Sequence, residues 1–77
     1  MEGDKKAALI RAGKALYGER WQTDLARDLG LSDGRRIRQW LSGERAMPIG
    51  VWQDLGQLLA DRQILISEVL DEIEDST

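Results

Sequence analysis

Three arginines and a glutamine are concentrated in one short segment, RRIRQW, which spans residues 35 to 40. The guanidinium group of arginine is a planar fork of donors that fits guanine O6 and N7, and glutamine pairs with adenine N6 and N7. The same guanidinium fork also binds phosphate. The segment therefore carries the groups that recognition of a DNA duplex requires, provided that one helix presents them together.

The composition argues against catalytic and metal chemistry. The chain of 77 residues contains no cysteine and no histidine, so thiolate ligands, disulfides and the imidazole that serves most often as a general base are all missing. No two carboxylates, hydroxyls or lysines form an evident catalytic pair in the sequence. We therefore expect that the protein is not an enzyme and that it uses no metal and no other cofactor.

Helix phase separates the polar residues of this segment into two groups. At 100° per residue, the apolar residues that share one side and predict a buried stripe are Ile37, Trp40 and Leu41. Arg35 and Gln39 fall on the opposite side, one turn apart, and Arg36 and Arg38 flank the stripe. We expect the first pair to contact bases and the second to contact phosphates. The alternative is that these arginines are only solvated or pair with Asp24, Asp28 or Asp33.

Two further helices are predicted before this segment. The first runs from Lys5 to about Tyr17 with Asp4 as its N-cap, and the second from near Gln22 to Leu29, with Gly30 as its stop. Asp33 suits the cap of the third helix. Two short helices joined by a glycine-centred turn indicate a helix-turn-helix within an all-α fold. The first helix also carries Lys5, Lys6, Arg11 and Lys14, for which we expect a solvated face, with phosphate contact as the alternative.

The apolar phase continues from about Pro48 to Glu74 and predicts one long amphipathic helix, with a break near residues 61 to 63 as the alternative. Only Arg62 interrupts the apolar seam. The first half, residues 51 to 59, should pack on the helix-turn-helix. The second half should mediate dimerisation through an apolar stripe, which consists of Leu65, Ile66, Val69, Leu70 and Ile73. The alternative is that this second half folds back on its own domain.

Charge is divided unequally along the chain, although the net charge is only -3. Residues 1 to 45 hold ten of the eleven Lys and Arg and carry +3, whereas residues 46 to 77 carry -6. Phosphate attracts the first part and repels the second. We therefore expect a DNA-binding domain over residues 1 to 60 and a dimerisation helix over residues 61 to 77. No apolar run suits a membrane span or a signal peptide, which predicts a cytoplasmic protein with no membrane partner.

An ordered set of residues resembles the helix-turn-helix of the phage repressor and Cro family. The set consists of Gln22, Ala26, Gly30, Ile37, Trp40 and Gly43. Trp40 and Gly43 followed by Pro48 are also similar to small phage and bacterial regulators. The resemblance covers about residues 8 to 60 and implies a small lambda-repressor-like helical domain with a long C-terminal helix after it.

The resemblance also implies roles for individual residues. The turn SDGR holds one residue more than the family pattern, so we take the positions from the buried pair Ile37 and Trp40. On that basis the positions that face base edges are Gly34, Arg35 and Gln39. Gln22 would meet a phosphate at the start of its helix, and Arg45 would contact the DNA backbone.

Together these features lead us to expect a sequence-specific, double-stranded DNA-binding transcriptional regulator. The simplest form is a homodimeric repressor that reads an inverted repeat, because one small module reads only a few base pairs. The alternative is a protein-interaction module, such as an antitoxin or an antirepressor, that captures a protein partner through the acidic C-terminal helix.

Overall fold

The computed structural model describes residues 2 to 76, with side chains from residue 5 onward. Its four helices are α1 (Glu2–Tyr17), α2 (Trp21–Asp28), α3 (Arg35–Ser42) and α4 (Ile49–Ser76). No strand occurs among these residues, so the predicted all-α class is confirmed. Within the same range, no helix has both the length and the apolar content that a bilayer crossing requires.

Helix α1 begins earlier than the sequence predicts. Glu2 is already helical, so Asp4 lies inside the first turns and the prediction that it is the N-cap is wrong. The physical reason is that a carboxylate stabilises the first turn of a helix as well as the cap position. An acidic residue near a helix start therefore does not fix the first residue.

One hydrophobic core joins the four helices. Its buried residues are Leu9, Ala12, Leu16, Trp21, Leu25, Ala26, Ile37, Trp40 and Leu55. Helix α2 contacts both α1 and α3, whereas α4 has α1 as its main neighbour. The first half of α4 does pack on the core through Leu55 and the half-buried Val51, Trp52, Leu58 and Leu59. It lies chiefly along α1 rather than along the two short helices.

A Schellman motif ends α2 and turns the chain toward α3. The N–H of Leu31 donates to the carbonyl of Ala26 at 2.8 Å, and the N–H of Gly30 donates to the carbonyl of Arg27 at 3.1 Å. Gly30 has a φ of 79°, which glycine adopts without a steric penalty. The predicted helix stop at Gly30 is confirmed, and six residues, 29 to 34, connect the two helices.

Helix α4 is continuous, as predicted, and it passes through residues 61 to 63 without the alternative break. Beyond Arg62 every described residue is exposed. The five residues of the apolar stripe, Leu65, Ile66, Val69, Leu70 and Ile73, are 43% to 58% exposed. The alternative in which this segment folds back on its own domain is therefore wrong.

Arg62 fastens α4 to the C-terminal end of α1. Its Nη1 donates to the carbonyl of Leu16 at 2.6 Å, and its guanidinium lies 5.8 Å from the centroid of the Tyr17 ring. The hydroxyl of Tyr17 donates in turn to the carboxylate of Asp28 at 2.5 Å. Burial, and after it this hydrogen bond, raises the pKa of Tyr17 to about 12, so the hydroxyl keeps its proton. The residue that interrupts the apolar seam is thus a tether.

We expect Arg62→Met to lower the free energy of unfolding by about 1 to 2 kcal/mol, because a charge-assisted hydrogen bond and a cation–π contact are lost. Urea unfolding at one fixed protein concentration measures this change. Gln63→Met is the matched control, since Gln63 is an exposed neighbour on the same helix. Equal stability of the two variants would show that the tether contributes nothing.

Candidate nucleic-acid interface

Helix α3 is fixed in the fold by two side chains of its apolar stripe. Ile37 is 0% exposed and Trp40 is 8% exposed. The prediction that Asp33 is the N-cap is wrong, because Gly34 occupies that position. Asp33 nevertheless supports the start of the helix, since its Oδ1 accepts the N–H of Arg35 at 2.9 Å. Helix α3 therefore begins one residue later than a cap at Asp33 implies. The burial of Ile37 and Trp40 determines which side of the helix faces the core.

The opposite side of α3 brings most of the predicted contact residues together. Arg35, Arg36, Gln39 and Arg45 line one open cavity of about 320 Å³, with Ser32 and Asp33 also in its wall. We call this surface the α3 depression. Arg36, which helix phase assigns to phosphate, lies on the same surface as the two predicted base readers. The other three predicted contacts, Gly34, Arg38 and Gln22, do not line it.

The arginines of α3 and of the loop after it have no ion-pair partner among the side chains that the structure describes. Among the described side chains, no carboxylate lies within ion-pair distance of Arg35, Arg36, Arg38 or Arg45. Asp24 and Asp28 instead pair with Arg27, at 3.2 Å and 3.8 Å. The alternative in which the α3 arginines pair with Asp24, Asp28 or Asp33 is therefore wrong, and among the described side chains solvation or an external anion remains.

Arg45 follows the helix in a loop, yet backbone bonds hold that loop against α3. Its N–H donates to the carbonyl of Gln39 at 3.2 Å, and the hydroxyl of Ser42 donates to the same carbonyl at 3.1 Å. Gly43, with a φ of 83°, makes the turn between them. The loop therefore places Arg45 at the α3 depression beside Gln39.

Gly34 is the least exposed of the three predicted base-contact residues. The residue is buried, and a Cβ at this position would lie 3.2 Å from Nη1 of Arg38. Because the guanidinium of Arg38 covers Gly34, a base contact at Gly34 is not available in this conformation.

Gln22 lies half-buried in the first turn of α2, where backbone N–H groups have no acceptor inside the helix.

Sequence reasoning named Lys5 and Lys6 but missed that the fold brings them close to Arg45. Lys5 and Lys6 of α1 line a second cavity with Arg45, although about 40 residues of chain separate them. No local signal could have found this, because helix spacing predicts which residues share a side of one helix and not which helices meet. The solvated face predicted for α1 thus includes two lysines that share a cavity with the loop after α3.

The described residues contain no group of acidic, histidine or cysteine side chains that could hold a metal ion. The chain matches no protein-family model, no curated protein and no solved structure.

Proposed function

We propose that the protein is a sequence-specific, double-stranded DNA-binding transcriptional regulator in which α2 and α3 form a helix-turn-helix of the phage repressor and Cro type. The observation that carries this proposal is the α3 depression, where Arg35, Gln39, Arg36 and Arg45 meet and no arginine has an ion-pair partner among the described side chains. An α-helix with its side chains is about 10 to 12 Å across, and the major groove is about 12 Å wide. Helix α3 therefore suits that groove.

The proposed regulator is a homodimer that represses by occluding a promoter. One α3 reads only a few base pairs, so a two-fold dimer with recognition helices about 34 Å apart would read an inverted repeat. The exposed apolar stripe of α4 is the candidate dimer interface. The acidic residues around this stripe support its role in dimerisation rather than in DNA contact, because phosphate repels them.

Selection of bound duplexes from a random pool tests the proposal most directly. We expect an enriched inverted repeat whose half-sites are about 10 base pairs apart, centre to centre, or a multiple of that spacing. The affinity for the enriched duplex should fall steeply as the salt concentration rises. No enrichment over the starting pool at low salt would overturn the proposal.

We expect Arg35→Ala to cost on the order of 1 to 3 kcal/mol of binding free energy and to relax base preference at one position per half-site. The reason is that Arg35 lies in the α3 depression at the N-terminal end of the helix. Affinities for a panel of single-base operator variants measure the effect.

Arg38→Ala is the matched control for Arg35→Ala, because it removes the same side chain from the same helix. It should weaken binding to all sequences alike and reduce the salt slope by about 1, as loss of one phosphate contact does. If Arg35→Ala leaves the base preference unchanged across the single-base operator variants, Arg35 does not read a base. A selective loss in Arg38→Ala would show that the two roles are exchanged.

A second candidate function is supported by α4. Its end combines an exposed apolar stripe with five acidic residues and no basic residue after Arg62. Such a helix suits capture of a different protein, as in an antitoxin or an antirepressor. Recovery of one stable heteromer, together with no affinity for any duplex, would favour this candidate over the regulator.

A further inference from the structure

A second cavity lies among α1, the loop after α3 and the start of α4. It measures about 240 Å³, and the residues that matter for its chemistry are Lys5, Lys6, Trp40, Arg45, Met47 and Trp52. We call it the α1–α4 cleft. Trp40 belongs to the buried core, whereas Met47 and Trp52 are half-buried. Part of the wall is therefore an apolar, largely aromatic surface that solvent can reach.

Three cationic side chains surround this apolar surface. Lys5, Lys6 and Arg45 are exposed, and none of them makes an ion pair with a described side chain. Among the side chains that the structure describes from residue 5 onward, no carboxylate lines the cleft. A bare phosphate would use the cations but not the two tryptophans, and a neutral apolar molecule would use the tryptophans but not the cations. A ligand with one apolar body and one negative charge uses both.

We propose that the α1–α4 cleft binds a small amphipathic monoanion, namely an aromatic or branched aliphatic carboxylate. Its apolar body lies against Trp40 and Trp52, and its carboxylate is bound by the cationic rim. Typical ligand pockets measure roughly 300 to 1,000 Å³. The smaller volume of this cleft limits the ligand to about a single ring system.

Ligand binding in the cleft also acts on the α3 depression, because Arg45 lines both cavities. A carboxylate that engages Arg45 withdraws that guanidinium from the DNA backbone. The bound ligand therefore weakens operator binding and acts as an inducer. This regulatory step rests on the proposed DNA-binding function, whereas occupancy of the cleft does not.

The test uses the full chain and three probes: 4-phenylbutyrate, the neutral 4-phenylbutanol and inorganic phosphate. The chain has three tryptophans, so their indole N–H signals in a two-dimensional NMR spectrum report the position of binding. We expect phenylbutyrate to shift the indole signals of Trp40 and Trp52. The signal of Trp21 should not shift, because Trp21 is 3% exposed and does not line the cleft. Its affinity should exceed that of the alcohol by about fivefold, the contribution of one exposed ion pair.

Charge-neutral variants locate the carboxylate. Lys5→Gln/Lys6→Gln should lower the affinity for phenylbutyrate by about fivefold or more and leave that for the alcohol unchanged. Arg11→Gln/Lys14→Gln is the matched control, because it removes two positive charges from the same helix outside the cleft. Equal affinities for acid and alcohol, equal affinities for acid and phosphate, or shifts confined to α4 residues 64 to 73 would each overturn the site.

The regulatory step has its own readout. Saturating phenylbutyrate should weaken binding to the selected operator, and the neutral alcohol should not. An unchanged operator affinity with an occupied cleft would overturn the coupling through Arg45 while leaving the site intact. Absence of DNA binding in every condition would instead overturn the proposed function, and the NMR titration would still decide the cleft.

Discussion

Gly13→Ala is expected to destabilise the fold by about 3 kcal/mol, the upper end of the usual effect of overpacking a core. A Cβ at residue 13 would overlap Cε3 and Cδ2 of the Trp21 indole and would lie 2.9 Å from its Cγ. The Trp21 side chain is only 3% exposed, so it cannot move without opening the core. Helices α1 and α2 therefore approach each other closely only because residue 13 has no side chain.

The sign of this effect distinguishes packing from helix propensity. In a helix interior alanine is favoured over glycine by about 1 kcal/mol, so propensity alone predicts stabilisation. Gly56→Ala is the matched control, because Gly56 lies inside α4 at a position where a Cβ would meet open space. Urea unfolding should show a loss for Gly13→Ala and a gain for Gly56→Ala. A gain for both would mean that α1 and Trp21 are not in close contact.

Features that repeat along one helix could be predicted from the sequence. The spacing of Ile37 and Trp40 fixed the side of α3 that is buried, and the structure has both residues in the core. The unbroken apolar phase of residues 48 to 74 predicted a single long helix, which the structure contains with ends at Ile49 and Ser76. Such patterns are local consequences of 3.6 residues per turn, and they do not depend on how helices pack.

Contacts between distant parts of the chain could not be predicted in this way. Nothing in the residue pattern brings Gly13 against Trp21, or Arg62 to the carbonyl of Leu16. The same holds for Lys5 and Lys6 at the cavity that Arg45 lines. Each depends on the distance and angle at which two helices cross, which side-chain packing sets. The burial of Gly34 belongs to the same class, because the position of the Arg38 side chain decides it.

Substitution of the α4 apolar stripe is expected to have the largest effect on function. If the proposed dimer forms through this stripe, Ile66→Gln/Ile73→Gln should give a monomer and lower operator affinity by roughly 10² to 10⁴-fold, because linked half-site binding is lost. Both residues are more than half exposed, so the fold of the single chain should remain intact. Light scattering measures the mass, DNA retardation the affinity, and circular dichroism the helix content.

The same helix supplies an unusually close control. Ile64 is exposed by 58%, as is Ile66, yet a separation of two residues at 100° per residue places it about 200° away around the helix. Ile64→Gln should therefore leave the dimer and the operator affinity unchanged. Equal weakening by Ile64→Gln and Ile66→Gln would indicate a general loss of hydrophobicity rather than a specific stripe. A dimer that survives the double substitution, or deletion of residues 63 to 77, would show that the dimer interface lies elsewhere. It would also remove the argument that the acidic charge of α4 keeps the dimer interface away from DNA.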